Sequence, residues 1–268
     1  MFEVNEQRLD APGIVLRYHR VPWDEEIIGA PVAAISSIEV SGDGLAVASY
    51  DVFRDWCFTE GIVLVSCRLP QARLVETGFL ESVGFRYIEL NFRPHITDIS
   101  RRDLGRPDGI RIEPALPSDE PAIAEIAAQI FDTGRLHLDP FIGAEIGNRR
   151  YRAWVVNAFR NPDQQVLKCL LEGRIVGFFV VEGPVSDQRF WSLIGLAPGL
   201  GGQGLGRRVW QAMLRWHRDE GVSEVSTSMS SHNIAMMNLY VGLGFRFPAP
   251  STTLHWCPAG QSFPKAVQ

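Results

Sequence analysis

Cysteine is scarce in this sequence of 268 residues. The four present, Cys57, Cys67, Cys169 and Cys257, form no CxxC pair, which disfavours both a zinc site and a disulfide framework. Long apolar runs are missing as well: no stretch approaches the ~18–20 residues of a membrane span. The opening MFEVNEQRLD is acidic and polar, unlike a signal peptide. An excess of positive charge is also lacking. A net charge of −5 and a pI near 5.7 argue against a broad basic footprint for nucleic-acid phosphates. These absences predict a cytoplasmic protein with no membrane span, no nucleic-acid partner and no metal. Apolar residues make up 46% of the chain and charged residues 21%, enough to bury a real core.

The polar stretch ISRRDLGRPDGIR, with two glycines and a proline, separates two apolar blocks and predicts a boundary between domains 1–107 and 108–268. Beyond it, Gly109–Ala115 reads as a strand and Ser118 as the N-cap of a helix carrying Ile123, Ile126, Ile130 and Phe131 at helical spacing. A second helix is expected over Phe141–Phe159. Strands follow at Val166–Leu171 and Arg174–Val181, joined at Glu172–Gly173, and a third at Phe190–Ala197 ends at Pro198. Then come a glycine cluster, a helix with Leu205, Val209, Met213 and Trp216 on one face, a strand Val222–Ser228, a helix Asn233–Val241 and a last strand Thr252–Trp256. The fold class is α/β, an α+β mixed sheet with antiparallel hairpins before a βαβ unit.

The chain echoes itself. With a constant shift of 160 and no gap, residues 41–86 overlay 201–246 with eleven identities, where average composition gives about three. Gly42, Gly44, Leu45, Trp56, Glu60, Gly61, Val65, Ser66, Gly84, Phe85 and Arg86 match Gly202, Gly204, Leu205, Trp216, Glu220, Gly221, Val225, Ser226, Gly244, Phe245 and Arg246. Glycines at turn positions in both copies point to a duplication.

The segment Leu196-Ala-Pro-Gly-Leu-Gly-Gly-Gln-Gly-Leu-Gly-Arg-Arg208 is the strongest chemical signal. Glycines let backbone N–H groups converge on an anion, and the following helix adds its positive end; Arg207 and Arg208 add charge-assisted donors. A P-loop would need Gly-Lys-Ser/Thr, which Gly206-Arg207-Arg208 lacks. Gly199, Gly201 and Gly204 satisfy GxGxxG, but a Rossmann domain would need several further βα units. A second signal, Asn233 through Tyr240 to Gly244-Phe245, lies at a fixed distance after it.

Together these motifs resemble the GNAT superfamily of N-acetyltransferases over about 109–257. The resemblance implies a GNAT-fold catalytic domain preceded by a smaller, degenerate GNAT-like half-domain, with acetyl-CoA as co-substrate. It implies that amides of Gly201, Gly202, Gln203, Gly204, Leu205 and Gly206, with Arg207, hold the pyrophosphate. Leu196 and Ala197 would meet the acetyl end, Asn233 pantetheine, and Tyr240 the thioester sulfur. The family usually has Arg or Gln where Gly201 stands, so weaker coenzyme affinity is expected. In the first copy Leu80 matches Tyr240, Arg73 matches Asn233 and Ile38 matches Pro198. There the cradle reads Ser41-Gly-Asp43-Gly, with Asp43 where it would repel a diphosphate. That half is therefore expected to be non-catalytic.

The ending LxxxGFRYIELNFRP of the first half, WDEEIIG at Trp23–Gly29, Arg135-Leu-His-Leu-Asp-Pro140 and Tyr151-Arg-Ala-Trp154 look like the dTDP-fucosamine acetyltransferase group. That group acetylates a nucleotide-linked 4-amino-dideoxy sugar for surface polysaccharide. Arg135, His137, Asp139 and Trp154 are the acceptor-site candidates, each with a plain structural alternative: capping, packing or a solvated face. The residues supply no convincing base; water serves as well as Glu145 or His137. Protein N-termini, lysines and polyamines are alternative acceptors, and a non-catalytic acyl-CoA sensor is a third reading. The partner is a small-molecule amine; a homodimer is compatible with the sequence, which does not fix the oligomeric state.

Overall fold

The structure is a computed structural model that describes residues 5–41, 44–106, 109–183, 187–201 and 204–258. In chain order the elements are β1 (Gln7–Ala11), β2 (Ile14–Arg20), α1 (Pro22–Ile28), β3 (Val32–Val40), α2 (Ala46–Thr59), β4 (Leu64–Pro70), α3 (Leu74–Ser82) and β5 (Arg86–Phe92). There follow β6 (His95–Ile96), β7 (Arg111–Pro114), α4 (Glu120–Ile130), α5 (Arg135–Leu138), α6 (Ala144–Ala158), β8 (Gln164–Leu171) and β9 (Arg174–Glu182). The chain continues with β10 (Gln188–Leu196), α7 (Leu205–Asp219), β11 (Glu224–Thr227), β12 (Met229–Ser230), α8 (Ile234–Gly242) and β13 (Ser251–Trp256). The expected mixed α/β class and its βαβ unit, β10-α7-β11, are present.

The chain forms two compact units that interleave along the sequence across the expected boundary near residue 107. The first takes Met1–Asn91, Gly134–Ile146 and Ala249–Gln268; the second takes Phe92–Thr133 and Gly147–Pro248. In the first unit the strands run β1-β2-β3-β4-β13-β5, antiparallel except for the β3–β4 pair. Leu16, Ile35, Tyr50, Phe53, Leu254 and Trp256 fill its core.

In the second unit the order is β6-β11-β10-β9-β8-β7. Its middle strand β9 reads Phe178-Phe179-Val180-Val181, a continuous apolar run, because both faces are covered. Phe178 and Val180 pack with Ile123, Ala127 and Val155 of α4 and α6. Phe179 and Val181 pack with Val209, Trp210 and Met213 of α7. The β8–β9 turn uses Glu172 and Gly173 at φ 51° and 77°, the two left-handed positions that suit a tight hairpin. Ser118 is not the N-cap expected of it. Asp119 precedes α4, and its carboxylate takes the Leu116 N–H at 2.8 Å and Lys168 Nζ at 2.7 Å.

The 160-residue echo is a structural one. Helix α3 and its partner α8 begin and end at matching positions, 74–82 against 234–242. Gly44 and Gly204, Gly61 and Gly221, and Gly84 and Gly244 are left-handed in both copies, a conformation that glycine adopts without a Cβ penalty. The repeats also exchange their last strands. β13 lies between β4 and β5 in the first unit, with His255 opposite Ser66 and Arg86. β6 takes the same place in the second, with His95 opposite Ser226 and Arg246. The three pairs, His, Ser and Arg, are identical residues at the same shift.

The strands before the glycine turns differ. Pairing of Ala33 with Val65 and of Arg189 with Val225 sets the shift there at 156, so Ile38 corresponds to Ile194 and not to Pro198. The second copy has six residues, 198–203, where the first has two, 42–43.

Gly177 on β9 shows how tightly this region is built: a Cβ there would lie 2.7 Å from the Gly195 carbonyl oxygen. Because that neighbour is backbone, we expect Gly177→Ala to destabilise the protein by about 1–3 kcal/mol, read as a lower midpoint in urea denaturation at unchanged slope.

Candidate active site

β10 and β11 run parallel and pair over only four positions, Gln188–Trp191 against Glu224–Thr227. Immediately beyond, the register of β10 against β9 slips by one residue, leaving Ser192 as a bulge. A bulge bends its strand and increases the local twist, and the two parallel strands part here. Ala197 N–H donates to the Val176 carbonyl at 2.9 Å. Hydrogen-bonded and non-bonded positions alternate along an antiparallel ladder, so the N–H and C=O of Leu196 and Ile194 turn away from β9, toward the parted edge. Leu196 therefore presents the amide expected of it. Ala197, expected beside it, spends its N–H on β9.

The glycine turn leads into α7 with Gly204 as a left-handed N-cap and no side-chain cap. The first N–H groups of a helix have no intrahelical acceptor. No acidic residue lies in this first turn, so the positive end of α7 is left to an outside anion. A Cβ built on Gly201 or Gly204 would meet nothing within 4 Å. At Gly206 it would lie 3.6 Å from Leu196 and 3.7 Å from Leu239, ordinary packing distances. Leu205 is buried. Gly202 and Gln203 lie outside the described residues. This open turn, with uncapped amides beside it, fits a diphosphate. Arg207, expected at the phosphates, instead donates to the Gly242 carbonyl at 3.0 Å, closing the C-terminal end of α8.

Asn233 caps α8, its Oδ1 accepting from Met236 N–H at 3.1 Å. That bond uses one lone pair of the carbonyl oxygen. Tyr240 is buried and packs on Phe245 at 4.7 Å between centroids. Burial pushes its phenol up to about 12, with the Trp210 N–H and the Thr227 hydroxyl partly offsetting that rise. Its hydroxyl thus neighbours Thr227, the last β11 residue paired with β10. Thr227 donates to the Trp191 carbonyl at 2.8 Å, and the Trp191 indole N–H donates to His217 Nε2 at 2.9 Å. Burial drives His217 down to about 3, which keeps it neutral and accepting. Sequence reading missed Thr227 and His217. The α7 stripe through Trp210, Met213 and Leu214 reaches His217 at helical spacing, and that was the available signal.

The acceptor candidates fall in both units. Trp154 belongs to the second unit, half-buried, with Tyr151 stacked at 6.2 Å and Arg150 over its ring at 5.0 Å. Arg135, His137 and Asp139 belong to the first. There Arg135 pairs with buried Asp24 and donates to His255 Nε2 at 3.1 Å. Because Nε2 accepts, Nδ1 carries the proton and donates to Asp139 at 2.8 Å. Asp139 also takes the Phe141 N–H at 3.0 Å and faces Arg86 at 3.4 Å. Asp139, Asp24 and His255 are wholly buried. Arg135 and Asp139 accordingly belong to one network joined through His255, Arg135 engaging Asp24 and His255, and Asp139 engaging His255, the Phe141 N–H and Arg86. His137 lies within the short helix α5, one residue before its end.

Three comparisons bear on this arrangement. Residues 128–245 match the model of the acetyltransferase (GNAT) family. Those residues thus carry a GNAT-family acetyltransferase domain, of a family whose co-substrate is acetyl-CoA. The chain is similar to the spore coat polysaccharide biosynthesis protein SpsD of Bacillus subtilis, 18% identical over 86% of this chain and 79% of that protein. A shorter match, 34% identical over 28% of this chain and 21% of the relative, is to the mycothiol acetyltransferase of Frankia casuarinae. The fold is like that of a tandem GNAT protein from the clavulanic acid biosynthesis pathway, at TM-score 0.59 and 16% identity, covering 92% of this chain and 79% of that one. Among the described residues, no helix is long and apolar enough to cross a membrane, and no group of three or more His, Cys, Asp or Glu could hold a metal ion.

Burial lowers His255 from its ordinary 6.5 to about 4, against the opposing pull of Asp139. Burial works to raise the Asp139 carboxyl, yet the bonds from His255 and Phe141 N–H hold it below the usual range. A histidine depressed on folding takes up its proton more readily unfolded, so stability is full above about 6.5 and falls as pH drops toward 4. Loss of the Asp139 contribution follows below the carboxylate range. Urea midpoints measured between pH 7 and 4 should fall steadily, and His255→Gln should lower stability at pH 7 while flattening that slope.

Proposed function

We propose that the protein transfers the acetyl group of acetyl-CoA to the amino group of a nucleotide-linked, dTDP-type 4-amino-dideoxy sugar in surface polysaccharide synthesis, in the cytoplasm. The observation that carries the acetyl-transfer chemistry is the parted β10 edge, with the Leu196 amide turned into it and Tyr240 beside Thr227 where the parting begins. The sugar acceptor is supported by the likeness to a polysaccharide biosynthesis protein over most of both chains and by the Trp23–Gly29 and Arg135–Pro140 motifs. A different small-molecule amine is the second reading, favoured by the match to a mycothiol acetyltransferase.

Acetyl-CoA supplies a thioester carbonyl and a thiol leaving group. The Leu196 N–H is fixed by the strand before any reaction and donates to the oxygen on which charge gathers, with no reorganisation. The uncapped first turn of α7 and the open glycine turn hold the diphosphate. The Tyr240 phenol stays protonated throughout the neutral range and donates its O–H to sulfur as negative charge develops there. The amine proton leaves to water.

Release of free thiol from acetyl-CoA, measured with dTDP-, UDP- and GDP-linked amino sugars, polyamines and peptides, tests the acceptor. The highest kcat/KM is expected with a dTDP-4-amino sugar, and turnover confined to polyamines or peptides would overturn that assignment. Tyr240→Phe should lower kcat by roughly 10²–10⁴-fold with acetyl-CoA affinity little changed. A wild-type rate in that variant would reduce the tyrosine to packing.

A further inference from the structure

The parted strand edge occurs twice. In the first unit β3 pairs with β4 only over Val32–Ile35, and Ser36 is the bulged residue against β2, the counterpart of Ser192. Ser41 N–H donates to the Gly13 carbonyl at 2.9 Å, as Ala197 does to Val176. By the same alternation, the Ile38 carbonyl and the Val40 N–H face the parted edge, in the places of Ile194 and Leu196. Here, however, α3 covers them. The Arg73 guanidinium donates to the Ile38 carbonyl at 3.0 Å and to Glu76 at 2.7 Å. The Glu76 carboxylate accepts from the Val40 N–H and is nearly buried.

We propose that the Arg73–Glu76 ion pair is a built-in stand-in for the amide-bearing arm of coenzyme A and seals the first unit against it, so that the chain binds a single coenzyme. The pair offers a donor to one strand carbonyl and an acceptor to a strand N–H two residues on, the complement an amide-bearing chain presents when it lies along a strand edge. Leaving such groups buried and unpaired would cost about as much as a lost hydrogen bond each, so the closure also stabilises the first unit. The four-residue shortening of the following turn leaves less backbone for a diphosphate cradle. At the matching positions of the second unit stand Asn233 and Met236, which carry no charge and leave its edge to an outside ligand. This inference rests on the second unit being the acetyl-CoA site.

Titration calorimetry of the full chain with CoA and with acetyl-CoA tests it, together with hydrogen exchange at the Val40 amide. One coenzyme per wild-type chain is expected. Transplanting the pair, Asn233→Arg with Met236→Glu, should weaken binding at least tenfold while circular dichroism stays that of the wild type and the melting temperature falls only by the few degrees that loss of the Asn233 cap costs. Glu76→Met should speed exchange at Val40. Two coenzymes per wild-type chain, undiminished affinity in the folded transplant, or unchanged Val40 exchange would each overturn the proposal. Should the transplant fail to fold, stoichiometry and exchange decide. A wild-type chain that binds no coenzyme refutes the acetyl-CoA reading of the second unit, and Val40 exchange alone then judges the seal.

Discussion

A backbone edge that has lost its neighbouring strand must find other hydrogen-bond partners, and this requirement shapes both halves of the protein. The bulges at Ser36 and Ser192 bend β3 and β10, and each parallel pair stops after four positions. In a buried setting the exposed N–H and C=O groups are obligations. The first unit meets them with its own charged side chains, Arg73 and Glu76. The second holds an amide at Leu196, an uncapped helix start at Leu205 and a protonated phenol at Tyr240. The same strand geometry thus occurs once closed by its own side chains and once beside a longer glycine turn, and the copies differ here at Arg73 and Asn233, Glu76 and Met236, Leu80 and Tyr240, and in the length of one loop.

The exchange of terminal strands explains why the units interleave along the chain. Each repeat ends in a strand that completes the other repeat's sheet, β13 beside β4 and β5, β6 beside β11. Both insertions keep His opposite Ser and Arg. In the first unit that histidine, His255, is clamped between Asp139 and Arg135, and Asp24 completes a buried ionic network. Such a network contributes little net stability when intact and costs several kcal/mol when one partner is lost. Its polar atoms fix where α1, α5 and β13 meet within that unit.

Much was legible in the sequence. Strand and helix periodicities located most elements of the second half to within about two residues, and the glycine matches found the repeat. The Leu196 and Tyr240 positions follow from motif spacing, and their surroundings suit the chemistry expected of them. Asn233 and Arg207 show the limit of that method: their residue types fit ligand contacts, yet Asn233 caps α8 and Arg207 closes its far end. Arg135 and Asp139 are acceptor-site candidates because the Arg135–Pro140 segment follows the first helix and resembles the corresponding stretch of a sugar acetyltransferase group. Their partners Asp24 and His255 lie more than a hundred residues away, where no local pattern points to them.

The sequence by itself determined the class of fold, the repeat, and which copy keeps the glycine turn, the asparagine and the tyrosine, because these are local matters of periodicity, turn conformation and residue identity. Only the tertiary structure decided which strand completes which sheet, that a one-residue bulge opens the edge at Leu196, and that Arg73 with Glu76 fills its twin. Strand pairing and side-chain closure depend on contacts between residues far apart in the chain, and periodicity along a single sequence carries no record of which distant groups will satisfy one another.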